Sequence, residues 1–262
     1  MSLFRFALPT APFRQPLRNA IRSVAATGAD GVQFDVRHEV SPQEFGDTAR
    51  QQLRHFLREN SLRIGACTLP TQGTLVDADR LDQRVAAIQR GLEFVRQLGS
   101  DVLTVRLGAI PAEVASPAYE RLSSILADLA THSNRVGAKL AVSSLGNAPE
   151  KLISLLDTVT TGRIGIDFDP AGCIFAALSP PAVLRELHSR AAHVQLRDGT
   201  RTAEGAGIET AIGAGDVPWD EYLATVAEIN HRGWSTVRRT GGDDLVGDLV
   251  RGLRYVRNVT AG

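Results

Sequence analysis

IGIDFDP at residues 164–170 and AAHVQLRD at residues 191–198 decide the fold. In each, apolar and polar residues alternate, which is the two-residue period of a strand with one face on a core. Between them, residues 181–189 have helical spacing and follow Ser179-Pro180-Pro181, a serine cap with proline in the first turn. A strand, a helix and a strand in this order make a parallel pair joined by a crossover. Working outward, the unit recurs. Strands are expected at 3–9, 31–37, 62–70, 102–108, 140–146 and 234–239, and helices at 42–59, 79–98, 118–136, 149–158, 219–230 and 243–258. The pattern Ser41-Pro42-Gln43-Glu44 predicts a capping box at the start of the 42–59 helix. Eight units in 262 residues fit an α/β fold, a single (β/α)8 TIM barrel, better than an open doubly wound sheet. No linker or low-complexity run divides the chain, so residues 1–262 are read as one domain.

Composition narrows the function. With 29 basic and 29 acidic residues the surface has no overall field for a polyanion, and no aromatic residues interleave the arginines, so nucleic acid is not an expected partner. No apolar run nears the roughly 18 residues of a membrane helix, and the first residues are broken by Arg5 and by prolines, so no membrane association is expected and the cytoplasm is the expected compartment. Cys67 and Cys173 lack metal or disulfide spacing and are expected to pack as small apolar residues. Lys139 and Lys151 are the only lysines, before a strand and early in a helix, which argues against imine chemistry. Neither GxGxxG nor GxxxxGK[ST] occurs, so nucleotide-binding folds lose their usual support.

In a TIM barrel the site lies at the C-terminal ends of the strands, where alternate side chains face the interior. Strand parity predicts inward-facing Gln33, Asp35 and Arg37; Thr104 and Arg106; Asp167 and Asp169; His193, Gln195 and Arg197; and Thr236 and Arg238. That is more polarity than a hydrocarbon core needs, and it gathers at one end. His193 and Asp167 fall one layer deeper than Gln195 and Asp169, either as a tuned general base or as a structural pair. Gly213-Ala214-Gly215 and Gly241-Gly242 follow the last two strands beside Arg197, Arg238 and Arg239, where backbone N–H groups of such barrels hold phosphate, although tight turns also use glycine. Asp35, Arg37, His38 and Glu39 are read either as a polyol-binding cluster or as a solvated loop. Arg80, Arg84, Arg90 and Arg96 are read as an exposed helix surface.

IGIDFDPAG (164–172), AAHVQLRDG (191–199), IGAGDVPWDEY (212–222) and GWSTVRRTGGDD (233–244) resemble, in order and spacing, the last three strands of the xylose isomerase-like barrels, the superfamily of sugar phosphate isomerases and epimerases and of apurinic endonucleases. GADGVQFDVR (28–37) resembles their second strand. The resemblance implies a divalent metal, manganese or magnesium, held by glutamate, aspartate, histidine and glutamate from the fifth to eighth strands. Carried over by position, those ligands fall on Ser143, Asp169, Gln195 and Arg238, so only one of the four persists. Asp169 and Arg238 cancel in charge, and a guanidinium repels a divalent ion. No metal ligand and no cofactor is therefore assigned. Arg238 is expected either to pair with Asp169 across the barrel mouth, replacing the ion's charge, or to swing into solvent.

Two classes of function stand. One is an isomerase or epimerase acting on a small polyhydroxylated, anionic ligand such as a sugar phosphate or sugar acid. Its acid and base groups are drawn from Asp169, His193, Asp35 and Asp198, and Arg37, Arg106, Ser143, Gln195, Arg197, Arg238, Gly213 and Gly215 contact the ligand. The other is a ligand-binding or scaffolding descendant that kept the barrel without catalysis. A metal-dependent nuclease ranks third, since that chemistry needs a richer ligand cluster.

Overall fold

In the computed structural model, which describes residues 4–114, 116–143 and 147–261, β1 (Phe6–Pro9), β2 (Gly31–Asp35), β3 (Arg63–Thr68), β4 (Val102–Arg106), β5 (Lys139–Ser143), β6 (Gly165–Phe168), β7 (Ala191–Leu196) and β10 (Trp234–Val237) are parallel and close into a barrel. The neighbours run β1-β10-β7-β6-β5-β4-β3-β2, the chain order of a (β/α)8 barrel. Helices α1 (Leu17–Ala26), α2 (Asp47–Glu59), α3 (Leu81–Leu98), α4 (Pro117–Val136), α5 (Pro149–Asp157), α6 (Pro170–Phe175), α7 (Pro180–Leu187), α8 (Trp219–Glu228) and α9 (Leu245–Ala261) occupy the connections. Leu3 and residues 144–146 of the expected first and fifth strands lie outside the described residues. Among the described residues no helix is long and apolar enough to cross a membrane.

Alternation produces two layers of burial. Val32, Phe34, Leu103, Val105, Val142, Ile166, Phe168, Val194 and Leu196 join the buried cluster that also takes in Ile88 and Leu92 of α3 and Leu126 of α4. Each such side chain contributes roughly 1.5–3 kcal/mol when fully buried. The other parity supplies a smaller cluster of Ala66, Val102 and Ala141. Trp234 approaches Gly31 and Gly65 at the foot of the barrel. A Cβ on Gly31 would sit 2.7 Å from the Arg63 carbonyl oxygen and 2.7 Å from the Trp234 ring. Gly31→Ala is therefore expected to cost about 1–3 kcal/mol through overpacking, read as a lowered urea midpoint at unchanged slope.

Three local readings change. Ser41 does bond Glu44, Oγ donating to Oε2 over 3.1 Å, but the backbone there closes only a turn, and α2 starts later, at Asp47. Pro170 opens the short helix α6 directly after β6, where only a strand end is expected from alternation. Beyond β7, β8 (Asp198–Arg201) and β9 (Gly207–Thr210) form an antiparallel hairpin that the sequence reading leaves as loop. Its polar residues hide the strand period, yet Gly205, at φ 88°, marks the turn. Ser179 caps α7 as expected, accepting from the Ala182 N–H over 3.5 Å. Both cysteines are free and buried, and burial pushes their thiols up to about 12.

Candidate functional site at the barrel mouth

The interior polar residues separate into a buried lower layer and an upper layer. In the lower layer His193 Nδ1 donates to Asp167 Oδ1 over 2.7 Å, His193 Nε2 meets the Thr236 hydroxyl at 2.8 Å, and Gln195 Nε2 donates to Asp167 Oδ2 over 2.7 Å. Strand register aligns Asp167 with His193, and Gln195 with Thr236, which is why the four side chains meet. His193 is 1% exposed and both its nitrogens are engaged, so no ring atom is left for a substrate. Of the two expected readings, a tuned base or a structural pair, this geometry matches the structural pair: the imidazole joins three strands, with Nδ1 held by Asp167. The amide of Gln195 is likewise oriented downward by its donation to Asp167.

Above this layer Asp169 is buried at the β6–α6 junction, held there because Pro170 begins the helix. Its partner is Arg197. Arg197 Nε donates to Oδ1 over 3.2 Å, and Nη2 lies 2.9 Å from Oδ2. The guanidinium also covers the Phe175 ring at 5.3 Å, which fixes its plane. Nη2 is buried with no well-aligned acceptor. The expected Asp169–Arg238 pair is thus corrected: Arg197, two residues beyond Gln195 on the same inward parity, reaches the carboxylate first. Arg238 is half-buried and forms no ion pair among the described residues, yet its charge still acts on Asp169. Burial pushes the Asp169 carboxyl up, while Arg197 and then Arg238 draw it down.

Asp198 and the two glycines also change place. Asp198 is 0% exposed, and its Oδ1 accepts from the N–H groups of Gly199 at 2.8 Å and Val217 at 3.2 Å. Its Oδ2 accepts from Gly213 at 2.8 Å, Gly215 at 3.2 Å and Trp219 Nε1 at 2.9 Å. The N–H nest expected to hold a ligand phosphate is therefore filled by the chain's own carboxylate, and Asp198 has no lone pair left for acid or base work. Arg239 is neutralised by Asp248 at 3.1 Å and Glu209 at 3.9 Å.

At the end of β2, Asp35 accepts from the Arg37 N–H at 2.8 Å, the His38 N–H at 3.0 Å and His38 Nδ1 at 2.8 Å, a turn-closing role that takes up its expected catalytic carboxylate. Arg37 is exposed and donates to the Pro70 carbonyl over 3.1 Å, away from the Asp169 cluster. Arg106 donates to the Thr71 carbonyl over 2.6 Å and is exposed. Ser143 ends β5 half-buried and pairs in register with Asp167 rather than with Asp169. Glu39 is the residue sequence reasoning undervalued. It accepts from the Thr10 hydroxyl at 2.6 Å and the Asp35 N–H at 2.9 Å, and burial pushes its carboxyl up against those bonds. Only its position two residues past an inward arginine hinted at this.

The barrel as a whole is similar to solved structures. A xylose isomerase domain protein from Planctomyces limnophilus matches with TM-score 0.84 at 20% identity, covering 98% of this chain and 96% of that one. A xylose isomerase-like TIM barrel protein from Mycobacterium smegmatis in complex with magnesium matches with TM-score 0.78 at 16% identity, covering 99% and 98%. 3-Keto-D-glucoside 4-epimerase from E. coli matches with TM-score 0.78 at 14% identity, covering 97% and 99%. At these identities the likeness is one of fold. Comparison with curated proteins found no match. Residues 21–259 match the xylose isomerase-like TIM barrel family, so nearly the whole barrel carries its pattern and the chain belongs to that family.

Proposed function

We propose that the barrel mouth binds a small polyhydroxylated anion and acts on it as a sugar isomerase or epimerase in which arginine stands in for the family's metal. One observation carries this reading: Asp169 is ion-paired to Arg197 while Arg238 beside them has no ion-pair partner among the described residues, so the upper layer holds more positive than negative charge. The donor set at the four family positions does not fit a divalent cation. Its one carboxylate is paired to a guanidinium, the Gln195 amide is bonded to Asp167, and Arg238 is itself a cation. Among the described residues no group of three or more His, Cys, Asp or Glu side chains is placed to hold a metal.

Asp169 is the proton-transfer group of this mechanism, its carboxyl raised by burial. Arg197 holds the Asp169 carboxylate in place, and the guanidinium N–H groups of Arg238 meet the oxygen that gains charge when a carbon beside a carbonyl loses its proton. Such N–H groups are worth more in a dry site than in water because the local dielectric is low.

Solvent deuterium uptake into a panel of sugars, sugar acids and sugar phosphates, followed by NMR after EDTA dialysis, tests the reading. Exchange is expected without added metal, with Arg238→Ala slowing it by about 100-fold, the effect of removing one oxyanion donor. Exchange that vanishes in EDTA and returns with magnesium or manganese would sink the arginine mechanism. A second reading, a binding protein without turnover, is favoured by the commitment of Asp35, Asp167 and Asp198 to structural bonds. It predicts a ligand-induced rise in melting temperature with no deuterium uptake.

A further inference from the structure

We propose that a second groove, beside α3 and separate from the mouth cluster, is a binding site for a phosphate group. It is a cavity of about 400 Å³ at the C-terminal side of β2 and β3, bordered by Val36, Leu69 and the first half of α3. Four arginines line it, Arg37, Arg80, Arg84 and Arg90, and among the described residues no carboxylate does.

Arg84 gives the groove its meaning. Instead of joining an exposed helix surface, it is 7% exposed, and its guanidinium is fixed by the loop that precedes α3. Nε donates to the Gln72 carbonyl at 3.0 Å, Nη1 to the Asp77 carbonyl at 2.9 Å and Nη2 to the Asp79 carbonyl at 2.9 Å. These carbonyls take up its N–H groups, and the Asp77 carboxylate of the same loop lies close enough for the two charges to act on each other. Asp77 accepts from the Thr74 N–H and hydroxyl, keeps its charge toward Arg84, and stands outside the groove's lining, which carries the four guanidiniums. Arg80 lies 3.9 Å from Asp79, both largely exposed, so that pair neutralises little. Arg37 is anchored through the Pro70 carbonyl at 3.1 Å.

The groove thus offers one immobile, buried guanidinium surrounded by three exposed ones, and two N–H hydrogens of Arg84 remain unspent after its three bonds. Guanidinium forks match the oxygens of phosphate in pairs. The volume accepts a phosphate with a small organic body attached. The site stands independently of the function proposed for the mouth, since Arg238, Arg197 and Asp169 take no part in it.

Isothermal titration at low ionic strength with inorganic phosphate, and separately with glucose 6-phosphate, tests the assignment on the full chain. Both are expected to bind, and the double variant Arg80→Gln/Arg90→Gln is expected to weaken both at least tenfold, about one charge-assisted hydrogen bond or more. Tighter binding of glucose 6-phosphate than of phosphate assigns the source as a phosphorylated metabolite; equal binding assigns a free oxyanion. As a second measurement that needs no variant, phosphate is expected to protect Arg80 and Arg90 from a dicarbonyl arginine reagent, read by peptide mass. Unchanged affinity in the double variant, absence of binding together with absence of protection, or loss of binding in Arg238→Ala but not in the double variant would overturn the site. The last result would move the anion to the mouth and support the function proposed there.

Discussion

Asp198→Ala is expected to lower the melting temperature by roughly 10–20 °C. The wild-type carboxylate, fully buried, accepts four backbone N–H groups and the Trp219 indole N–H. Alanine leaves all five donors without this acceptor, three of them, on Gly199, Val217 and Trp219, in buried residues. At about 1 kcal/mol each, the low end for a buried unsatisfied group, the cost is about 5 kcal/mol. A change of 1 kcal/mol moves the melting temperature of a domain of this size by roughly 2–4 °C. The damage is local in origin, since the donors all lie between Gly199 and Trp219, in the segment that carries the β8–β9 hairpin. Hydrogen exchange at Gly213 and Gly215 is therefore expected to accelerate even in Asp198→Asn, whose amide keeps one acceptor oxygen and loses the other. A melting temperature within about 2 °C of wild type would show that the segment is held by something other than this carboxylate.

The second large effect concerns Arg197. Arg197→Met keeps much of the side-chain volume over Phe175 but leaves Asp169 buried without its ion-pair partner. Breaking a buried pair from one side costs on the order of 3–5 kcal/mol at neutral pH. The pH dependence has a definite sign. Burial already raises the folded-state pKa of Asp169 above its ordinary value of 3.8, and losing Arg197, which lowers it, raises it further. The folded state then holds the proton more tightly than the unfolded chain, so this group's stability contribution is full below the ordinary carboxylate range. It is lost as pH rises through the folded pKa. The gap between Arg197→Met and wild type is therefore expected to narrow on acidification, measured by urea denaturation across pH. Adding Asp169→Asn should restore part of the loss at neutral pH by removing the charge. A penalty that is flat with pH and unrelieved in the double variant would assign the effect to lost packing instead.

The mouth joins these two results to function. Asp198 holds the segment after β7, Arg197 beside it holds Asp169, and Arg238, whose charge acts on Asp169, is the cation that the proposed function assigns to the ligand. Neighbours that share the barrel include sugar epimerases such as the 3-keto-D-glucoside 4-epimerase.

Much of this was legible in the sequence. Strand alternation at residues 164–170 and 191–198, repeated eight times with helices between, determined the barrel, because a period of two or of 3.6 residues dictates which face is buried whatever the later contacts. Parity also put Asp167, His193, Gln195 and Thr236 inside together, and register brought them into contact. Partner choice was not legible. Asp169 had two inward arginines to pair with, and strand stagger and the reach of each side chain selected Arg197 over Arg238. Asp198 read as an acid beside glycines, a ligand site in outline, until the fold returned those N–H groups to it. Arg84 read as one more exposed helix arginine until the loop before α3 enclosed it. Periodicity is a property of the chain and survives in one dimension, whereas the pairing of charges depends on distances of a few ångströms between residues far apart in sequence. Only the closed barrel sets those distances.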